Sequence, residues 1–206
     1  MATFAPQATR LDEAVPPKTQ RRRRRYTAED LLRISADSSH RYELNQGNLV
    51  TMAPAGYEHG DIAMELGAQL RFYAKERGLG RVYAAETGFR LARNPDTVRA
   101  PDIGFVRQER FPVPKEQRSS AFFPGAPDLA VEVVSPDDKA DEVMRKVEDW
   151  LRYGAHLVWV VYPRQRMVMV YRADGGVRRL NADDVLDGEE LLPGFHCPVA
   201  DVFPND

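Results

Sequence analysis

The stretch Asp128-Leu129-Ala130-Val131-Glu132-Val133-Val134 runs directly into Ser135-Pro136-Asp137-Asp138. Aliphatic and β-branched side chains dominate the first seven residues, which favours a buried strand. Ser135 to Asp138 stops that strand, and its short polar side chains suit a helix N-cap. The helix expected next runs from Ala140 to Tyr153. Val143, Val147, Trp150 and Leu151 fall on one face of it, and Gly154 follows its end. Beyond it, Leu157–Tyr162 and Met167–Arg172 read as paired strands joined around Pro163-Arg164.

Working back toward the N-terminus, the same two periodicities recur. Val98–Arg107 and Arg81–Leu91 read as strands separated by the turn Asn94-Pro95-Asp96, and 108–127 reads as a loop rich in proline, phenylalanine and charge. Ile62, Leu66, Leu70 and Tyr73 mark a helix from Tyr57 to Arg77, closed by Gly78 and Gly80. Arg41–Met52 alternates around Asn45-Gln46-Gly47-Asn48, a hairpin signal. Thr27 and Asp30 have capping-box spacing ahead of a short helix ending near Ala36. This order of helices and strands predicts an α/β domain, with a mixed central β-sheet flanked by helices.

The composition of the 206 residues, 43% hydrophobic and 29% charged, is that of a globular chain with a sizeable core. Cys197 is the single cysteine, which excludes an internal disulfide and a zinc site built from several thiolates. No apolar run approaches the roughly 18 residues of a membrane span. The formal charge of −2 is unevenly spread: residues 1–25 carry seven basic and two acidic side chains, leaving −7 for the rest. Those 25 residues hold three prolines, few large apolar side chains and the run Arg21–Arg25. They read as a disordered basic arm ahead of a folded domain over 26–206. The arginine run fits a solvated tail, a phosphate contact or a localisation signal. The arm lacks the apolar stretch of a secretory signal, and the protein is expected in the cytoplasm.

Two carboxylates stand in otherwise apolar strands. Glu132 lies inside the opening stretch, and Asp102 precedes Ile103-Gly104-Phe105-Val106. A buried carboxylate without a partner is costly. Either acid alone fits an exposed face or an arginine pair. Together on neighbouring strands, they offer the hard oxygen ligands that Mg²⁺ or Mn²⁺ prefers. Lys146, on the helix after Glu132, reads either as a surface lysine or as an ammonium that reaches the same site. Glu43, Glu86 and His59 are weaker candidates. Phosphate loops, dinucleotide fingerprints, nucleophile elbows and His-Glu-x-x-His pairs are absent from the sequence. His196 and Cys197 are adjacent in an extended run, so they face opposite ways and make a poor nucleophile–base pair.

Several runs in fixed order carry a family resemblance. They are Ala100-Pro101-Asp102-Ile103-Gly104-Phe105-Val106, then 125–136, then Lys146 with Trp150 to Gly154, then Val158-Trp159-Val160-Val161. Tyr42-Glu43-Leu44 with Gly47, Glu58-His59-Gly60, Leu186-Asp187-Gly188 and Leu192-Pro193-Gly194-Phe195 fit the same pattern. The set resembles the Uma-type restriction endonucleases, a branch of the PD-(D/E)XK nuclease superfamily, over about residues 27–203. The resemblance implies a restriction-endonuclease-like core and Mg²⁺-dependent cleavage of phosphodiester bonds in DNA. It places Asp102 and Glu132 as metal ligands and catalytic acids, and Glu43 as a further acid near the site. Val134 stands where the motif wants lysine, and Lys146 matches the position to which that lysine is displaced in this family. A non-catalytic nucleic-acid-binding or regulatory module on the same fold is the alternative. A homodimer fits the cleavage of two strands.

Overall fold

The computed structural model describes residues 24–111 and 122–204. Its elements begin with α1 (Ala28–Ala36), β1 (Arg41–Asn45), β2 (Asn48–Met52) and α2 (Tyr57–Glu76). Strands β3 (Gly80–Ala84), β4 (Phe89–Ala92), β5 (Thr97–Arg99), β6 (Ile103–Arg107) and β7 (Phe123–Pro124) follow. Then come β8 (Leu129–Val133), α3 (Ala140–Arg152), β9 (Leu157–Tyr162), β10 (Met167–Arg172), β11 (Val177–Leu180), β12 (Val185–Gly188) and β13 (Leu192–Pro198).

The main sheet has six strands in the order β11-β10-β9-β8-β6-β3. Its one parallel pair is β8 with β9, joined through α3, and the other pairings are antiparallel. A smaller sheet runs β2-β1-β5-β4-β7, and β12 pairs with β13. The expected mixed α/β architecture is therefore present. Successive side chains in a strand face opposite ways, so β8 divides its residues between two cores. Leu129, Val131 and Val133 join Ile62, Leu66 and Leu70 of α2 on one face. Ala130 joins Val143, Val147 and Trp150 of α3 on the other. Trp150 and Trp159 are both fully buried. Each leucine or isoleucine enclosed in these cores contributes about 1.5–3 kcal/mol.

The local signals place several ends correctly. Thr27 and Asp30 form the capping box of α1. Gln46 and Gly47 both take positive φ, 48° and 76°, which gives the β1–β2 turn the twist of its strands. Ser135 to Asp138 does not cap α3, however. Asp138 accepts from the Ser135 N–H at 2.8 Å, closing its own turn, and Lys139 is the N-cap without a side-chain bond.

Two expected strands are each divided between the sheets. Arg81–Leu91 breaks at Glu86, which takes φ 73°, so β3 joins the large sheet and β4 the small one. Val98–Arg107 breaks at Ala100-Pro101-Asp102. Pro101 has no N–H to donate, and the Ala100 N–H is drawn to the Glu43 side chain. Among its described residues, the region expected as a loop contains a 3-10 turn at Gln108–Arg110 and the short β7. The basic arm lies outside the described residues except for Arg24 and Arg25. No helix among the described residues is long and apolar enough to cross a membrane.

Candidate active site

Alternation along β8 turns Glu132 toward α3, on the same face as Ala130. Lys146 and Trp150 are four residues apart on α3 and so share one helix face. Both reach the same carboxylate. Lys146 Nζ donates to Glu132 Oε2 at 2.8 Å, and Trp150 Nε1 donates to Oε1 at 2.8 Å. Trp150 therefore packs in the core with its ring and holds Glu132 with its edge.

The antiparallel register of β6 and β8 pairs Ile103 with Val131, which sets Asp102 beside Glu132. The Asp102 N–H donates to the Val131 carbonyl at 3.0 Å, while the Val133 N–H donates to Asp102 Oδ2 at 2.8 Å. His59, in the first turn of α2, brings Nε2 to 3.1 Å from the same oxygen. Oδ1 of Asp102 accepts no hydrogen bond among the described residues.

Glu43 reaches the site from β1 and is buried. Its Oε1 accepts from the Ala100 N–H at 2.9 Å, and its Oε2 from Arg99 Nη1 at 3.1 Å. Arg99 donates its other face to Asp149 of α3. This chain of ion pairs ties the small sheet, the crossing segment and α3 together around the two acids.

The local fields oppose one another. Burial pushes the Glu132 carboxyl above its ordinary range, and Asp102 and Glu43 add to the push, while Lys146 opposes it. Burial alone would lower Lys146, but the carboxylates of Glu132, Glu43 and Asp102 together raise it. The carboxylates therefore favour its charged form. The hydrogen bond to Asp102 raises His59, against its partial burial. Burial would lower Arg99, and Glu43 with Asp149 raise it instead.

The four sequence candidates Asp102, Glu132, Lys146 and Glu43 all line one cleft of about 860 Å³, together with His59. His59 looked weaker in the sequence than its position against Asp102 makes it. Glu86 is also at the cleft, but it lies in an exposed turn and pairs with Arg41 at 3.4 Å. Arg99, Asp149 and the polar edge of Trp150 gave no sequence signal as site residues. Elsewhere, burial pushes the Cys197 thiol up to about 11, and His196 Nδ1 lies 2.9 Å from the Gly194 carbonyl oxygen. They form no nucleophile–base pair.

No three His, Cys, Asp or Glu side chains converge on a ready metal cage among the described residues. The donor set still fits a hard cation. Mg²⁺ often takes only one or two carboxylates and keeps its waters. Asp102 Oδ1 is available for one, and each Glu132 oxygen holds a single donor although it has two lone pairs.

A mixed sheet with α2 and α3 packed on its opposite faces thus carries the paired acids where β6 and β8 lie side by side. A crystal structure from Anabaena variabilis, described as "a putative nuclease belonging to DUF820", superposes with a TM-score of 0.72. The two share 20% sequence identity, over 84% of this chain and 97% of the other. The Uma2 family, described as "Putative restriction endonuclease", matches residues 28–200, and the chain belongs to that family. No curated protein matches the sequence.

Proposed function

We propose that the protein is a divalent-metal-dependent endonuclease that hydrolyses phosphodiester bonds in DNA. The observation that carries this reading is the meeting of Asp102, Glu132 and Lys146 in one cleft, from three separate elements. The family description supports the nucleic-acid substrate. Asp102 and Glu132 would hold Mg²⁺ or Mn²⁺ between β6 and β8. When bound, the cation supplies positive charge against the phosphate and acidity to water.

The chain's own residues divide the remaining work. Lys146 Nζ, held 2.8 Å from Glu132 Oε2, is placed as a hydrogen-bond donor to developing negative charge. Trp150 fixes Glu132 from the side away from Lys146. Glu43 has both oxygens engaged by Ala100 and Arg99, so it is a positioning residue for the segment that carries Asp102. His59 holds Asp102 Oδ2 and leaves Oδ1 for the cation.

Calorimetric titration with Mg²⁺ and Mn²⁺, alongside a plasmid-cleavage assay, tests the reading. Binding and cleavage are both expected in the parent, and both are expected to disappear in Asp102→Asn and Glu132→Gln. DNA binding by the parent with neither metal uptake nor cleavage would favour the non-catalytic module.

A further inference from the structure

The outer face of α2 bears a sequence pattern that is symmetric about its own midpoint. Asp61, Met64, Ala68, Phe72 and Lys75 are separated by steps of three, four, four and three residues. At 100° per residue, all five fall on one stripe. That stripe lies opposite Ile62, Leu66 and Leu70, which are fully buried against the main sheet. Met64 is 72% exposed and Phe72 69% exposed. Asp61 and Lys75 are also exposed, and neither joins an ion pair among the described residues. Met64 and Phe72, with the half-buried Ala68 between them, make an apolar strip along the outer face of α2.

The stripe is complementary to itself and not merely apolar. In a two-fold antiparallel helix pair, a residue n positions before the axis meets the residue n positions after it on the other helix. With the axis at Ala68, Met64 meets the partner's Phe72, and Asp61 meets the partner's Lys75. Each contact then occurs twice. The small Ala68 side chain at the axis lets the two backbones approach. A parallel or off-centre pairing sets acid against acid or wastes the apolar pair.

We propose that α2 is the interface of a two-fold homodimer, with a second copy of this chain docked antiparallel on the Asp61–Lys75 stripe. One helix pair is small beside the roughly 1,600 Å² of a standard stable interface. The dimer is therefore weak and concentration-dependent. His59 lies on the same helix, nine residues from the axis. The two His59 positions are then about 27 Å apart along the helix direction. The proposal does not rest on nuclease activity.

Sedimentation equilibrium of the full chain over a wide concentration range tests it, with circular dichroism to verify folding. The parent is expected to pass from monomer to dimer, and Ala68→Arg to remain monomeric while folded. Asp61→Lys and Lys75→Asp should each weaken association by about tenfold, through like charges facing one another. The double variant Asp61→Lys/Lys75→Asp should restore it. A parent that is monomeric throughout overturns the proposal. So does a dimer that ignores Ala68→Arg, or a double variant as weak as the singles. A stripe that instead touches nucleic acid would show altered DNA binding in these variants with no change in mass.

Discussion

Asp128 immediately precedes β8 and Glu132 lies within it, four residues on; both are buried, yet they are neutralised in different ways. Asp128 accepts from the Arg107 N–H and Nε, both at 3.0 Å, and from Arg110 Nη1 at 3.1 Å. Its carbonyl oxygen accepts from the His156 and Leu157 N–H groups. Two cations and a backbone amide serve that single carboxylate. Glu132 has one ammonium and one indole N–H, with Asp102 and Glu43 close enough to push its carboxyl further up. Two guanidiniums bonded directly to Asp128 make a structural joint. The surplus of negative charge at Glu132 leaves room for a cation, which is the difference between a brace and a site.

The comparison is most open to attack at Asp128. Asp128→Ala leaves two guanidiniums without their carboxylate and is expected to cost about 3 kcal/mol. That is the low end for a broken buried pair, because Arg107 and Arg110 still reach solvent. Glu132→Gln should abolish cleavage and cost less, about 1–2 kcal/mol, since the amide keeps one acceptor oxygen for the two donors Lys146 and Trp150 while shedding a buried negative charge. Urea unfolding of both variants measures the contrast. Equal losses would mean that Glu132 is as much a brace as Asp128.

A smaller effect isolates the indole. Trp150→Phe keeps most of the packing and removes one donor to Glu132. It should destabilise the fold by about 1–3 kcal/mol, the cost of an unsatisfied buried acceptor. The unfolding midpoint in urea measures this loss.

The smallest effect is a pH dependence. His59 is raised above 6.5 by its bond to Asp102, so its contribution to stability is complete below 6.5. It is lost as pH rises through the raised folded-state value. The stability advantage of the parent over His59→Gln should therefore shrink as pH climbs past 6.5, as thermal melts across pH would record. A constant difference would remove His59 from the electrostatics of the site.

Five strands of the main sheet, all but β11, and the two acids were legible because their signals are local. β8 and α3 follow from residue periodicity, and a carboxylate inside an aliphatic run stands out in any strand. The smaller sheet was not legible as a separate layer. The breaks that create it depend on Pro101, on the left-handed turn at Glu86, and on Glu43 taking the Ala100 N–H from 57 residues away. The C-terminal β12–β13 pair, with its shifted register at Asp187 and Gly188, also left no clear alternation to read. Arg99 bonds Glu43 and Asp149, at separations of 56 and 50 residues, and nothing near it in sequence announces either partner. Trp150 was legible as core, since its spacing reports packing but not the direction of one N–H.

Those long separations also set the order in which the cleft can appear. The Val133–Asp102 bond closes a span of 31 residues, and the Arg99–Glu43 bond a span of 56. Contacts between distant segments form only after the chain has surrendered the entropy of closing those loops. Lys146, which completes the centre, also leaves the ribosome after both acids. A nascent or half-folded chain thus carries the acids without the assembled cleft, and any chemistry of the cleft is coupled to completion of the fold.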